Sequence, residues 1–371
     1  MKKNHDICVY FFLLVPVLAS SQTVLFSGQA SGWAQPGETS QQIGIRYIPA
    51  LRTESALAGP WALDGLVSVN GHGGYRNTES ARESTAELDA YRLWARLTHP
   101  RFEFRLGLQK LNFGAAMMLR PLMWFDRLDV RDPLQLTNGV NAAMSRWFFY
   151  DNANLWLWLV LGKSDRKGWE AVGSKDNSVE WGGRLQVPVP RGELALSGHV
   201  RQLDEDAART LYGVPFDREV RLGLDGRWDW LAGWWIESSV SRFSGPHLFY
   251  RQFYMAGGDY TFAWGNGLHI IAEHLVLAHS LCDLKIENTA HFTAFSMDYP
   301  LGFLDHVTGY VYYDWENRDW YRLLQWQRTY DRWSFFVQGF ANPHEAVVLT
   351  QRDEQLPMRG LGVQLMVVLN H

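Results

Sequence analysis

Cysteine is nearly absent from this 371-residue chain: there are two, Cys8 and Cys282. Cys8 lies in a leader-like N-terminus, so the remainder holds one thiol and no internal disulfide. A disulfide-stapled scaffold is excluded. Long apolar runs are missing as well. The longest after the leader, Leu155-Trp-Leu-Trp-Leu-Val-Leu161, has the length of a strand, whereas a membrane-spanning helix needs about 20 residues. Lysine is scarce, seven against 28 arginines. The formal charge is −4, and a net acidic chain argues against a nucleic-acid partner. There is no GxSxG, HExxH, P-loop or Cys/His ligand spacing, so no catalytic residue, cofactor or metal is expected.

What is present is aromatic and half-polar. Aromatics make up 14% of the chain with 18 tryptophans, yet the mean hydropathy is −0.22. Residues 1–21 read as an export signal: Lys2 and Lys3, an apolar core from Val9 to Ala19, then Ala19-Ser20-Ser21 before Gln22. Residues 22–371 read as one domain, since no linker or repeat divides them.

Strand-like alternation runs through that domain. Phe102, Phe104, Leu106 and Leu108 fall on one side, with Arg101, Glu103, Arg105, Gly107 and Gln109 on the other. Tyr91, Leu93, Ala95 and Leu97 oppose Arg92, Trp94 and Arg96; Leu361 to Leu369 repeat the pattern at the C-terminus. Short and long connections alternate between the segments. Aromatics such as Tyr150, Trp230, Trp234, Trp235, Trp264, Trp315 and Trp320 sit at strand ends, where headgroup layers favour them. These features predict an all-β transmembrane antiparallel barrel of sixteen or eighteen strands, apolar outside and polar within.

After Gln109 the alternation stops for about thirty residues, and charge, proline and aromatics mix up to Val140. The strand RLGLQKLNFG (Arg105–Gly114) followed by LRPLMWFDRLDVRDPLQLTNGV (Leu119–Val140) resembles the porin-like outer-membrane barrels of Gram-negative bacteria, in the style of the alginate-export and phosphate-selective porins. The resemblance implies that Arg105, Gly107, Gln109 and Gly114 belong to the wall. It implies that Arg120, Asp126, Arg127, Asp129, Arg131 and Asp132 form a constriction or an outside cap. Such barrels usually end in an aromatic residue, whereas this chain ends Val368-Leu369-Asn370-His371.

Alternation also directs Arg92, Arg96, Arg105, Gln109, Arg184, Arg201 and Arg221 toward the lumen. They would line a charged eyelet that selects solutes, or they would pair with Glu103, Glu180, Glu193 and Asp225 and fill the interior. Arginine excess leans toward anionic or sugar-like solutes. The expected function is passive passage of small hydrophilic solutes across an outer membrane, with membrane lipid as the other partner and a homo-oligomer compatible. Two alternatives remain: a rim enzyme built on His279, Ser280 and Asp283 or on Asp204–Asp206, and a closed structural or assembly barrel. Against the first, neighbours on a strand point to opposite faces, which separates His279 from Ser280.

Overall fold

The computed structural model describes residues 23–78, 81–126, 128–281, 283–344 and 358–371; the export signal expected at residues 1–21 lies outside them. Eighteen strands follow in chain order: β1 (Thr23–Gln35), β2 (Ser40–Ala56), β3 (Ala62–Thr78), β4 (Arg82–His99), β5 (Phe102–Gln109) and β6 (Val140–Phe148). Then come β7 (Asn154–Leu161), β8 (Val179–Val189), β9 (Gly192–Gln202), β10 (Arg218–Asp229), β11 (Gly233–Ser244) and β12 (Phe249–Phe262). The last six are β13 (Leu268–Leu281), β14 (Ala290–Pro300), β15 (Asp305–Asp314), β16 (Asp319–Thr329), β17 (Trp333–Asn342) and β18 (Gly360–Asn370). Each strand pairs antiparallel with its sequence neighbours, and β1 pairs with β18. Closure leaves no open edge, which is the condition for placing a sheet in lipid. The strand count is the upper of the two expected.

Apolar and polar faces are inverted relative to a water-soluble sandwich. Leu222, Leu196, Ile45, Leu324 and Leu361 point outward and are exposed, while Glu180, Arg201, Glu219, Gln338 and Gln364 are buried inside. Only a hydrocarbon solvent makes that arrangement favourable, so this is a transmembrane β-barrel. Exposed aromatics mark both ends: Tyr150, Trp230 and Trp264 at one, Tyr75, Trp315 and Trp320 at the other. Trp235, expected in such a belt, points inward and is 1% exposed.

The two ends differ. One carries only tight connections, 57–61, 100–101, 149–153, 190–191, 230–232, 263–267, 301–304 and 330–332, and the described residues begin and end there, at Thr23 and His371. Beside them His371 exchanges backbone hydrogen bonds with Gly28 and packs on Tyr47 and Phe26. The opposite end holds the long connections 110–139, 162–178 and 203–217. Within 203–217 lies a short helix, α1 (Glu205–Tyr212). Asp204 caps it by accepting from the N–H of Asp206 and Ala207, and Gly213 ends it in the left-handed region. Asp204–Asp206 thus form the start of a helix, with the Asp204 side chain engaged as its cap.

Candidate functional site: a segment held inside the barrel

Residues 110–139 turn into the lumen instead of standing over the mouth. The main fastening is a pair of carboxylates projecting inward from the wall. Glu237 on β11 accepts from the N–H of Ala116 at 2.7 Å and of Leu122 at 3.2 Å. Glu273 on β13 accepts from Met117 at 2.7 Å, Met118 at 3.0 Å and Leu119 at 2.5 Å, and from the Trp235 indole at 2.9 Å. A carboxylate offers about four acceptor sites, so each acid satisfies several main-chain donors that would otherwise be buried without partners. Gly114, expected in the wall, lies in this segment over Glu237. Its φ is +103°, and a Cβ would sit 2.3 Å from Glu237 Oε1, so only glycine fits.

Apolar packing completes the anchoring. Leu111, Phe113, Leu122, Trp124 and Phe125 pack on Val140, Ala142 and Met144 of β6 and Trp158 and Val160 of β7. Ala116 and Leu119 pack on Trp235, Phe253, Leu275 and Phe292 farther around the wall. Leu134 reaches Phe336, Met366 and Val368 on β17 and β18. Arg131 O accepts from Gln338 at 2.8 Å. At the return to the wall, Arg92 donates to Thr137 Oγ1 at 2.7 Å and Thr137 O at 2.9 Å. The segment thus touches most of the barrel's circumference.

A second connection, 162–178, locks the first in place. Trp169 donates from its indole to Arg120 O at 2.7 Å and from its backbone to Met123 O at 3.3 Å. This contact requires Gly168, whose φ is +42° and whose Cβ would lie 1.8 Å from Met123 O. Lys167 bonds Glu180 at 2.6 Å, and Glu170 bridges Arg201 at 3.1 Å and Arg221 at 2.9 Å, both of which also meet Glu219. Next to it Trp158, a donor only, gives its N–H to His199 Nδ1 at 3.2 Å. That places the ring proton on Nε2, 3.1 Å from Glu180.

The predicted lumen residues therefore separate into two groups. Arg92, Gln109, Arg184, Arg201 and Arg221 point inward as alternation requires, but all are under 9% exposed. Polypeptide or a partner covers each: Gln109 donates to Ala142 O and Arg184 forks onto Asp225. They are fastenings, because charges under an inserted segment must be paired. Arg96 and Arg105 keep 32% and 19% of their side-chain surface and share Glu103, while Arg96 also pairs with Asp64. Within the segment, Arg120 donates to Asn112 at 2.6 Å, and Asp132 accepts from Leu134 and Leu136 N–H. Asp126 is 2% exposed, and burial pushes its carboxyl up to about 6 against the pull of Arg92 and Lys110. Asp129 stays 46% exposed while pairing with Arg131 at 2.7 Å. Arg127 lies outside the described residues.

Toward the tight-turn end the inner wall carries ionisable groups on opposite sides, the arginines of one side beside Asp64 and Glu103 and the aspartates of the other beside Arg227, His269 and His306. Arg96, Arg105 and Arg146 cluster on β4–β6, with Arg146 3.6 Å over the Trp156 ring and Arg105 4.8 Å over Trp94. Asp259 and Asp298 project inward from β12 and β14, within a few residues of their own tight turns. In a ring of eighteen strands, β5 and β14 are diametrically placed.

Glu237 and Glu273 escaped sequence reading. Alternation places Glu237 on the face shared with Ser239 and Ser241, a charge without an arginine on that face of its strand, since Arg242 lies on the other. That orphaned charge was the available signal. The rim cluster separates as expected: His279 stacks on Phe249, while Ser280, on the other face, donates to the Asp283 carbonyl at 2.8 Å.

No family model matches the chain, and no curated protein matches it in sequence. Solved structures do. The anion-selective porin from Comamonas acidovorans superposes with a TM-score of 0.52 at 10% identity, over 94% of this chain and 99% of that one. OccK5 (OpdH) of Pseudomonas aeruginosa gives 0.54 at 11% identity, over 95% and 98%. The trimer form of OmpT, an outer membrane protein of Vibrio cholerae, gives 0.52 at 11% identity, over 94% and 99%. The protein has the closed-barrel fold of these outer-membrane proteins, with its own segment folded inside.

Proposed function

We propose that the protein is an outer-membrane channel for passive diffusion of small hydrophilic solutes, narrowed by residues 110–139. The observation that carries this reading is ionisable side chains that keep water-accessible surface inside a closed, lipid-facing wall: Arg96, Arg105 and Asp129. Lumen surface lined by fixed charge conducts ions and sorts solutes by sign. Arg96, Arg105 and Arg146 outnumber the neighbouring Asp64 and Glu103, which would leave that side of the path the more positive one. The structural neighbours include an anion-selective porin, and the arginine-rich side suits anionic or sugar-like solutes. Assembly as a homo-oligomer belongs to the same reading, since one neighbour is described in a trimer form. No covalent chemistry is assigned.

The wide contact of the segment with the wall favours a second reading, a barrel closed at rest. Single-channel conductance of refolded protein, wild type beside a deletion of residues 120–132, separates the two. Conductance in wild type that rises on deletion supports a narrowed channel. Silence in wild type with a large opening on deletion means a closed barrel. Silence in both overturns the channel reading.

A further inference from the structure

Outside the inserted segment and its fastenings, one group of side chains on the inner wall has the composition of a metal site. His72 on β3 stands directly across from Glu87 on β4, and Asn70, two residues earlier, stands across from Asp89. Alternation from the inward Arg92, past the bulge at Ser68/Val69, puts all three ionisable groups on the inner face. They lie on the long-loop side of the point where the segment rejoins the wall. One ligand atom from each lies within 4.8 Å of the others. His72 Nε2 is 3.6 Å from Glu87 Oε2, with the His72 side chain 8% exposed and Glu87 58%. An imidazole held by the wall and two carboxylates free to swing is a donor set with one fixed and two adjustable members.

We propose that His72, Glu87 and Asp89 bind one divalent first-row transition ion of the Zn2+ type inside the outer vestibule. The first argument is distance. Two ligands at the usual Zn–N and Zn–O lengths span a tetrahedral edge of about 3.4 Å. The His72–Glu87 separation is already close to that, and Asp89 closes the rest by rotating an exposed side chain. The second argument is charge. Glu87 and Asp89 sit two apart on one strand face, an arrangement that repels itself. The ion pair that Glu87 makes is to His72, and among the described residues Asp89 makes none. Arg46, across from His72 on β2, has its guanidinium 5.4 Å from the Trp33 ring centroid. One arginine does not balance two carboxylates, whereas a divalent cation with neutral imidazole does. Imidazole with carboxylate suits zinc better than calcium or magnesium, which take oxygen ligands alone. The fourth position would be left to water or to a passing anion.

The test is Zn2+ binding by the full refolded chain in detergent, measured by competition with a chromophoric chelator. Wild type is expected to bind one equivalent with a micromolar Kd. H72A should weaken binding at least tenfold, and E87Q and D89N severalfold each. The two carboxylates are exposed, so these variants leave the fold intact even if H72A does not; heat-modifiable gel mobility checks folding. The competing pair is His274 and His291 on the outward face, with ring nitrogens 3.4 Å apart. Binding that survives E87Q and D89N unchanged, or is lost in H274A/H291A, overturns the proposal. So does the absence of binding in wild type. The readout does not depend on conductance, so it stands apart from the channel reading.

Discussion

At the residue scale, the inside of this barrel is governed by where charge can be afforded. Asp126 is covered on all sides, and burial raises its carboxyl from 3.8 to about 6. A carboxyl that binds protons more tightly folded than unfolded stabilises the fold at low pH. That contribution is fully present below about 4 and is lost as pH rises through about 6. The shift corresponds to roughly 3 kcal/mol at neutral pH. D126N keeps an oxygen for the Gly139 N–H and removes the charge. Its apparent melting temperature should exceed that of wild type at pH 7.5 and match it at pH 4. Parallel curves across that range would contradict the assignment.

At the scale of elements, the inserted segment depends on wall carboxylates more than on its own hydrogen bonds. Glu273 takes three consecutive main-chain N–H groups, and a glutamine there turns an NH2 group toward donors. E273Q should cost on the order of 3 kcal/mol of local fastening while leaving the eighteen strands paired. Hydrogen exchange of residues 116–122 should accelerate by at least tenfold, with strand amides unchanged. Equal protection in both proteins would show that apolar packing alone holds the segment. Legibility also divides by element. The strands were readable because their two faces meet different solvents, which stamps a period of two on Phe102–Gln109 or Leu361–Leu369. The segment was readable only as the loss of that period after Gln109. Its path was not, because it is set by partners more than a hundred residues away, as in Ala116 with Glu237. Helix α1 was missed for another reason. Eight residues are too few for a convincing apolar stripe, although Asp204 and Gly213 mark both its ends.

For the whole molecule, stability rests on the outward face meeting lipid. Leu222, near the middle of β10, points outward and is 59% exposed. L222R should destabilise the barrel in bilayers by about 2–4 kcal/mol, as expected for arginine near the midplane. L222A, which adds no charge, should cost clearly less. Urea unfolding in vesicles measures both, and equal losses would mean that Leu222 lies away from the hydrocarbon centre. Direction of side chains was legible at this scale too, yet exposure was not. Arg201 and Arg96 are both inward arginines, and what separates them is whether residues 162–178 happen to lie on top.

The grip of Glu237 and Glu273 falls on the peptide backbone, which every amino acid carries alike. Apart from Gly114 and the apolar side chains pressed on the wall, the identity of residues 115–122 is thus largely irrelevant to staying in place. The barrel behaves as a socket and the segment as a cartridge. Met117, 38% exposed, could be exchanged for a charged or bulky residue and the insert would still seat. Aperture and preference can then drift quickly in such a protein without disturbing the strands around them.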